Sequence, residues 1–154
     1  MKKLVLEEFI PYRLNRLGTA VSERLKGVYS KKFGLTIPQW RVLSTLGQFD
    51  RLTATEIGAH SAMHKAKVSR AVRDLELRRW LSRLETEQDR RFETLQLTAA
   101  GRKAYDAIVP DMARFEERMR GSMGVQQTRI VMQALDCLEK ALGVRSQRRG
   151  REGA

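Results

Sequence analysis

The sequence predicts a mostly α-helical protein with one small β-ribbon, and three observations carry the prediction. Residues 53–98 read as a helix, a tight turn, a second and basic helix, then a two-stranded ribbon with a basic tip. Apolar stripes at helical spacing run before and after that stretch. Of the 154 residues, 42% are hydrophobic, 31% charged and only 6% aromatic, which suits a thin core under a water-exposed, helix-rich surface.

The first helix is expected over residues 7–32, where Ile10, Leu14, Leu17, Val21, Leu25 and Val28 repeat at steps of four and three. Pro11 suits its first turn and Gly34 its end. Thr36-Ile37-Pro38-Gln39 has the form of a capping box, in which a hydroxyl serves the first free amides and a side chain three residues on reaches back. It opens a short helix through Trp40, Leu43 and Leu46 that weakens at Gly47, leaving residues 49–52 as a loop. Trp40 reads most simply as a core anchor, and more sharply as a pocket wall.

Thr53-Ala54-Thr55-Glu56 repeats the capping box and starts a third helix over 54–61, with Ala54 and Ile57 inward. After the turn Ser61-Ala62-Met63, the basic helix begins near His64 and ends near Arg79. Val68, Ala71, Val72 and Leu75 make its apolar stripe; Ser69, Arg70 and Arg73 lie opposite, with Lys65 and Lys67 in the first turn. Trp80 and Leu81 lead into the ribbon, expected over 81–86 and 93–97 around a loop at 87–92. Leu95 and Leu97 alternate with Thr94 and Gln96, as in a half-buried strand.

Thr98 caps a helix over 99–120, where Tyr105, Ile108, Met112, Phe115 and Met119 step as a coiled-coil-like seam and Pro110 should bend the rod. A last helix over 125–142 aligns Val131, Leu135, Leu138 and Leu142 before Gly143. Residues 144–154 carry four arginines and almost nothing apolar, and read as a disordered basic tail. The two outer stripes must pack wholly on each other in a monomer; sharing them in an isologous two-fold dimer is the simpler account.

Thirty Lys and Arg against 18 Asp and Glu give a net charge of +12, which favours polyanion partners through steering and counterion release. A basic helix after a turn, followed by a hairpin with paired arginines, suits a duplex with two grooves. Cys137 is the only cysteine, so no intramolecular disulfide forms, and it reads as a small core or interface residue rather than a sensor. Leu4-Val5-Leu6 is too short a run for a signal peptide, and no stretch is apolar enough for a membrane span, so a cytoplasmic setting is expected. No Gly-rich phosphate loop, nucleophile elbow or cysteine cluster is present, so an enzyme is not expected. Glu56, His60 and His64 are spaced by four, but the turn at 61–63 breaks their common face, and neither a metal nor another cofactor is expected.

These residues resemble the MarR family of bacterial transcriptional regulators. The resemblance lies in Leu35-Thr36 with Gln39-Trp40 and Leu43, Leu52-Thr53 with Glu56-Ile57, Lys65, Val68-Ser69-Arg70, Leu75-Glu76, Arg83, Asp89-Arg90-Arg91 and Leu97-Thr98-Ala99-Ala100-Gly101. It implies a winged helix-turn-helix DNA-binding core at 35–98, an N-terminal dimerisation helix at 1–34 and C-terminal dimerisation helices at 99–143. Lys65, Lys67, Ser69, Arg70 and Arg73 would then meet the major groove and its phosphates. Arg91 would enter the minor groove, with Arg90 at a phosphate or paired with Asp89, which holds the wing tip. The partners implied are double-stranded DNA bearing a pseudo-palindromic operator, a second copy of the chain, and a small aromatic or phenolic anion or acyl thioester as effector. Candidate effector residues are Leu17, Val21, Trp40, Val42 and Met112 as walls, with Arg16 or Arg41 pairing the anion.

Three departures from the family pattern stand out. Trp80 replaces a usual glycine, His64 a short capping side chain, and Lys67 a residue that is often a small hydroxyl. The reading is of a homodimeric, ligand-responsive repressor. The competing readings are an architectural nucleoid protein with weak sequence preference, and a module whose basic face binds an acidic protein.

Overall fold

The computed structural model describes residues 3–84 and 93–144. The chain divides into two compact units, Met1–Ala113 and Arg114–Ala154. A 3-10 turn at Leu6–Glu8 precedes α1 (Ile10–Phe33). There follow α2 (Ile37–Phe49), β1 (Arg51–Thr53), α3 (Ala54–Ser61), α4 (Lys65–Leu77), β2 (Leu81–Leu84), β3 (Thr94–Leu97), α5 (Ala99–Met123) and α6 (Val125–Ala141). The basic wing tip expected at 87–92, with Asp89, Arg90 and Arg91, lies outside the described residues, as does the basic tail from residue 145.

In the first unit, α1 opens with Pro11 in its first turn and closes on Gly34 in the left-handed conformation (φ 61°), whose amide donates to the Ser30 carbonyl. Its start is three residues later than expected because Glu7 and Glu8 fall in the 3-10 turn. The α1 stripe is divided in its environment. Ile10, Leu14 and Leu17 are exposed, whereas Leu25 and Val28 pack against the core beside the buried Tyr29.

The Thr36 hydroxyl accepts from the Gln39 amide while the Gln39 side chain accepts from the Thr36 amide, so the capping box that opens α2 is complete. Gly47 does not end this helix. It lies under the Tyr105 ring, where a Cβ would come within 2.5 Å of ring carbon, and α2 continues to Phe49. Residues 51–53, expected to lie within a loop and its end, instead form a strand. Arg51, Leu52 and Thr53 pair with Gln96, Leu95 and Thr94, so the ribbon is a three-stranded antiparallel sheet ordered β1-β3-β2. Three residues are too few to show alternation, and their pairing depends on a partner more than forty residues away.

The core comprises Leu35, Val42, Leu43 and Leu46, then Ile57 from α3, the α4 stripe, Leu81 and Leu95 of the sheet, and Ile108 of α5. Trp40 is a core anchor. It stacks between Tyr29 at 5.4 Å and Tyr105 at 6.3 Å, joining α1, α2 and α5. Burial pushes the Tyr29 hydroxyl pKa up to about 12, with the nearby Arg41 guanidinium pulling the other way. Thr98 caps α5 as expected, its hydroxyl accepting from the Gly101 amide at 3.1 Å. The helix runs through Pro110 without interruption.

In the second unit, α6 buries none of its residues; Ile130, Val131, Leu135 and Leu142 are all exposed. Cys137 is exposed on it as well. Among the described residues, no helix is long and apolar enough to cross a membrane, and no group of side chains is arranged to hold a metal ion.

Candidate nucleic-acid interface

The basic helix is positioned from both ends. At its start, the α3 capping box is formed: the Glu56 amide donates to the Thr53 hydroxyl, and the Thr53 amide donates to the Glu56 carboxylate at 2.8 Å. Ala62 then takes a left-handed conformation (φ 51°), and the Met63 amide donates back to the Gly58 carbonyl at 3.0 Å. That turn brings α4 close enough that a Cβ on Gly58 would touch both Met63 and Val68. His64 occupies the N-cap without a side-chain bond, as its poor capping geometry leads one to expect.

Three polar side chains then fix the helix against its surroundings. The Gln39 side-chain amide donates to the Asp74 carboxylate at 2.8 Å, tying the start of α2 to the C-terminal part of α4. Arg83 of β2 donates to Glu76 on α4 at 2.6 Å and to Glu93 beside β3, clamping the sheet to the helix. These two carboxylates hold the Arg83 guanidinium pKa well above its ordinary value. Arg78 donates to the Phe33 and Gly34 carbonyls at 2.7 and 2.9 Å, satisfying acceptors at the C-terminus of α1. Its guanidinium also lies over the Trp80 ring at 5.4 Å.

The turn into the sheet is made without glycine. Arg79 adopts a left-handed conformation (φ 58°), its amide donating to Glu76 and that of Trp80 to Leu75. This is a Schellman termination. The Trp80 carbonyl accepts from the Thr98 amide at 3.1 Å. It faces Gly101 so closely that a Cβ there would lie 1.9 Å from the oxygen.

With α4 so fixed, Val68, Ala71, Val72 and Leu75 are buried and Lys65, Lys67, Ser69, Arg70 and Arg73 are all exposed. Helical geometry centres the outward face near Ala66, Arg73 and Leu77, with Arg70 beside them. Lys65 and Lys67 project from opposite flanks of the first turn, about 200° apart around the axis. Lys65 lines a cleft toward α3 and the sheet, and Lys67 lines two crevices on the α2 side. Sequence reading had not singled out Leu77, which is 75% exposed at the end of the outward face. An exposed leucine gives no periodicity signal of its own.

The expected effector residues do not converge. Val42 is sealed in the core at 0% exposure, and Met112 packs on that core. Trp40 is taken up by its two ring contacts. Leu17 points to solvent, Val21 is half-buried on α1, and Arg16 lies over the Tyr12 ring. Helical spacing placed these side chains on the right elements but could not say which would be consumed by packing. Arg41 lines an open groove of about 610 Å³ between α1, the start of α2 and the turn before α4.

The family model described as MarR family matches residues 33–91. An uncharacterised HTH-type transcriptional regulator of Bacillus subtilis, YwoH, is 33% identical over 87 residues, or 56% of this chain. The matched region spans 63% of that relative's length. Among solved structures, a MarR-family transcriptional regulator from Silicibacter pomeroyi superposes with a TM-score of 0.75 at 25% identity, over 96% of this chain and 99% of that one. NadR in complex with 4-hydroxyphenylacetate shares the fold, with a TM-score of 0.75 at 20% identity over 91% and 99% of the two chains.

Proposed function

We infer, from a winged helix-turn-helix core of the MarR family, that this chain is a sequence-specific DNA-binding regulator, acting as a homodimeric repressor on an inverted repeat. The observation that carries the reading is the exposed side of α4, with Arg70 and Arg73 on its outward face and Lys65, Lys67 and Ser69 on its flanks, on a helix pinned through Gln39–Asp74 and Arg83–Glu76. Such a rigid basic helix presents side chains to base edges with little ordering cost. Arg70 and Ser69 read the major groove; Lys65, Lys67 and Arg73 meet its edges and phosphates. Among the residues outside the described ones, Arg91 is the minor-groove contact and Arg90 a phosphate contact.

The exposed apolar faces of α1 and α6 support a two-fold partner, since a lone chain would leave them in water. The effector is a small aromatic anion, a class supported by the charge of the groove at Arg41 and by the ligand of the NadR structure. It acts by favouring a dimer whose two α4 helices are wrongly spaced for the operator. The protein works in the cytoplasm.

Selection of duplexes from a random pool tests this reading. An inverted repeat should emerge, bound at least about a thousand-fold more tightly than scrambled DNA at fixed salt. A ratio near one would instead identify an architectural DNA-binding protein.

A further inference from the structure

Among the described residues, the exposed large apolar side chains cluster at residues 4–17 and 125–144, with two outliers, Val109 at 38% and Leu77 at 75%. A two-fold partner on α1 and α6 accounts for the clusters but not for Leu77, which ends α4. Leu77 is the most exposed leucine among the described residues, and it belongs neither to the core nor to the apolar shell around it. It lies in line with the outward cations instead. Ala66, Arg70, Arg73 and Leu77 are spaced by four, three and four, are all exposed, and fall within about 60° of one another around the helix axis. Ala66 and Leu77 are the apolar side chains that α4 exposes, and they bracket the two arginines. The neighbouring charges do not fold over the leucine. Arg78 is committed to the Phe33 and Gly34 carbonyls, and Glu76 to Arg83. The backbone around Leu77 is fixed by the bonds from the Arg79 amide to Glu76 and from the Trp80 amide to Leu75.

We propose that Leu77 is a base-reading residue, which packs on the C5-methyl group of a thymine in the major groove. The assignment rests on the regulator reading and adds a specificity determinant to it. A leucine can neither pair with a phosphate nor hydrogen-bond a base edge, and the thymine methyl is the apolar group that the major groove offers. Arginine selects guanine through O6 and N7. Leu77 stands about 6 Å along the helix from Arg73, so its thymine lies roughly two base pairs from a guanine met by Arg73. Cytosine at that place would lose the methyl contact and set its N4 donor against a side chain that accepts nothing. The row therefore alternates its chemistry along the groove, with charge in the middle and apolar contact at the end.

The full-length chain first selects a duplex. Each thymine of the half-site is then replaced in turn by deoxyuridine in both halves, which removes one methyl group and leaves base pairing intact. At one position the Kd should rise about fifteen-fold, or about four-fold for each half-site. Leu77→Ala should melt like the parent chain and bind the selected duplex more weakly by a similar factor. It should hold the thymine and deoxyuridine forms of that position within about two-fold of each other. Its affinity for scrambled DNA and its salt slope should stay those of the parent, since no charge is lost. Leu77→Met, which keeps an apolar side chain of similar volume, should retain most of the discrimination. The proposal is overturned, and the regulator reading left standing, by a half-site with no methyl-sensitive thymine. A methyl effect as large in Leu77→Ala as in the parent chain has the same consequence, as does equal loss of affinity for selected and scrambled duplexes. Failure of the chain to select any duplex overturns the regulator reading and the proposal with it.

Discussion

Arg79 and Gly143 perform the same task with unlike side chains. Both end a helix in the left-handed region, at φ 58° and 64°, with the same pair of backbone hydrogen bonds around them. Glycine does this without a Cβ clash, whereas arginine does it at a cost. Arg79→Gly should therefore stabilise the protein by about 0.5–1 kcal/mol, read as a higher urea midpoint with an unchanged slope. Gly101→Ala should do the opposite, costing at least about 2 kcal/mol because its new carbon would meet the Trp80 carbonyl and not a yielding side chain. Tyr29 gives a pH signature. Its folded pKa is raised, so its contribution is complete below about 10 and disappears as pH rises towards about 12. Tyr29→Phe should flatten the loss of stability across that window by about 2 kcal/mol, measured by urea unfolding at each pH. The departure at Trp80 from the family's glycine was legible, but not that Arg79 would make the turn, since the usual signal for this termination is glycine. Tyr29 was missed for a different reason: its burial depends on Trp40, which stacks on it from α2 and is itself backed by Tyr105 of α5.

Among the elements, those with their own start and stop chemistry were legible. Both capping boxes, the turn at Ala62, the Thr98 cap and the α4 stripe follow from adjacent residues. β1 and the last turn of α2 were not, because strand pairing with β3 and the packing of Gly47 under Tyr105 come from distant chain. The candidate DNA face was legible for the same local reason, while the groove at Arg41 depends on how three elements meet. The link between α2 and α4 makes a sharp test. Gln39 is buried, accepts from Thr36 and donates to Asp74. Gln39→Glu sets two carboxylates together and should cost about 2–3 kcal/mol, with DNA affinity falling although residue 39 touches no DNA. Asp74→Asn should restore most of the stability in the double variant, and a cycle of chemical denaturation curves measures that coupling.

At the scale of the whole molecule, the question is what covers the apolar residues of α6. Leu135→Glu places a charge within the proposed dimer surface. It should convert a dimer into monomers in sedimentation velocity and weaken operator binding by at least about ten-fold, since one half-site then binds alone. A variant that stays dimeric with its affinity intact would assign that surface elsewhere. The tie between Gln39 and Asp74 also bears on the history open to such a molecule. Only an uncharged amide fills position 39 while serving a donor on one side and an acceptor on the other. A lineage therefore cannot drift to glutamate there until position 74 has given up its charge, and the order of those two steps is set by one hydrogen bond of 2.8 Å.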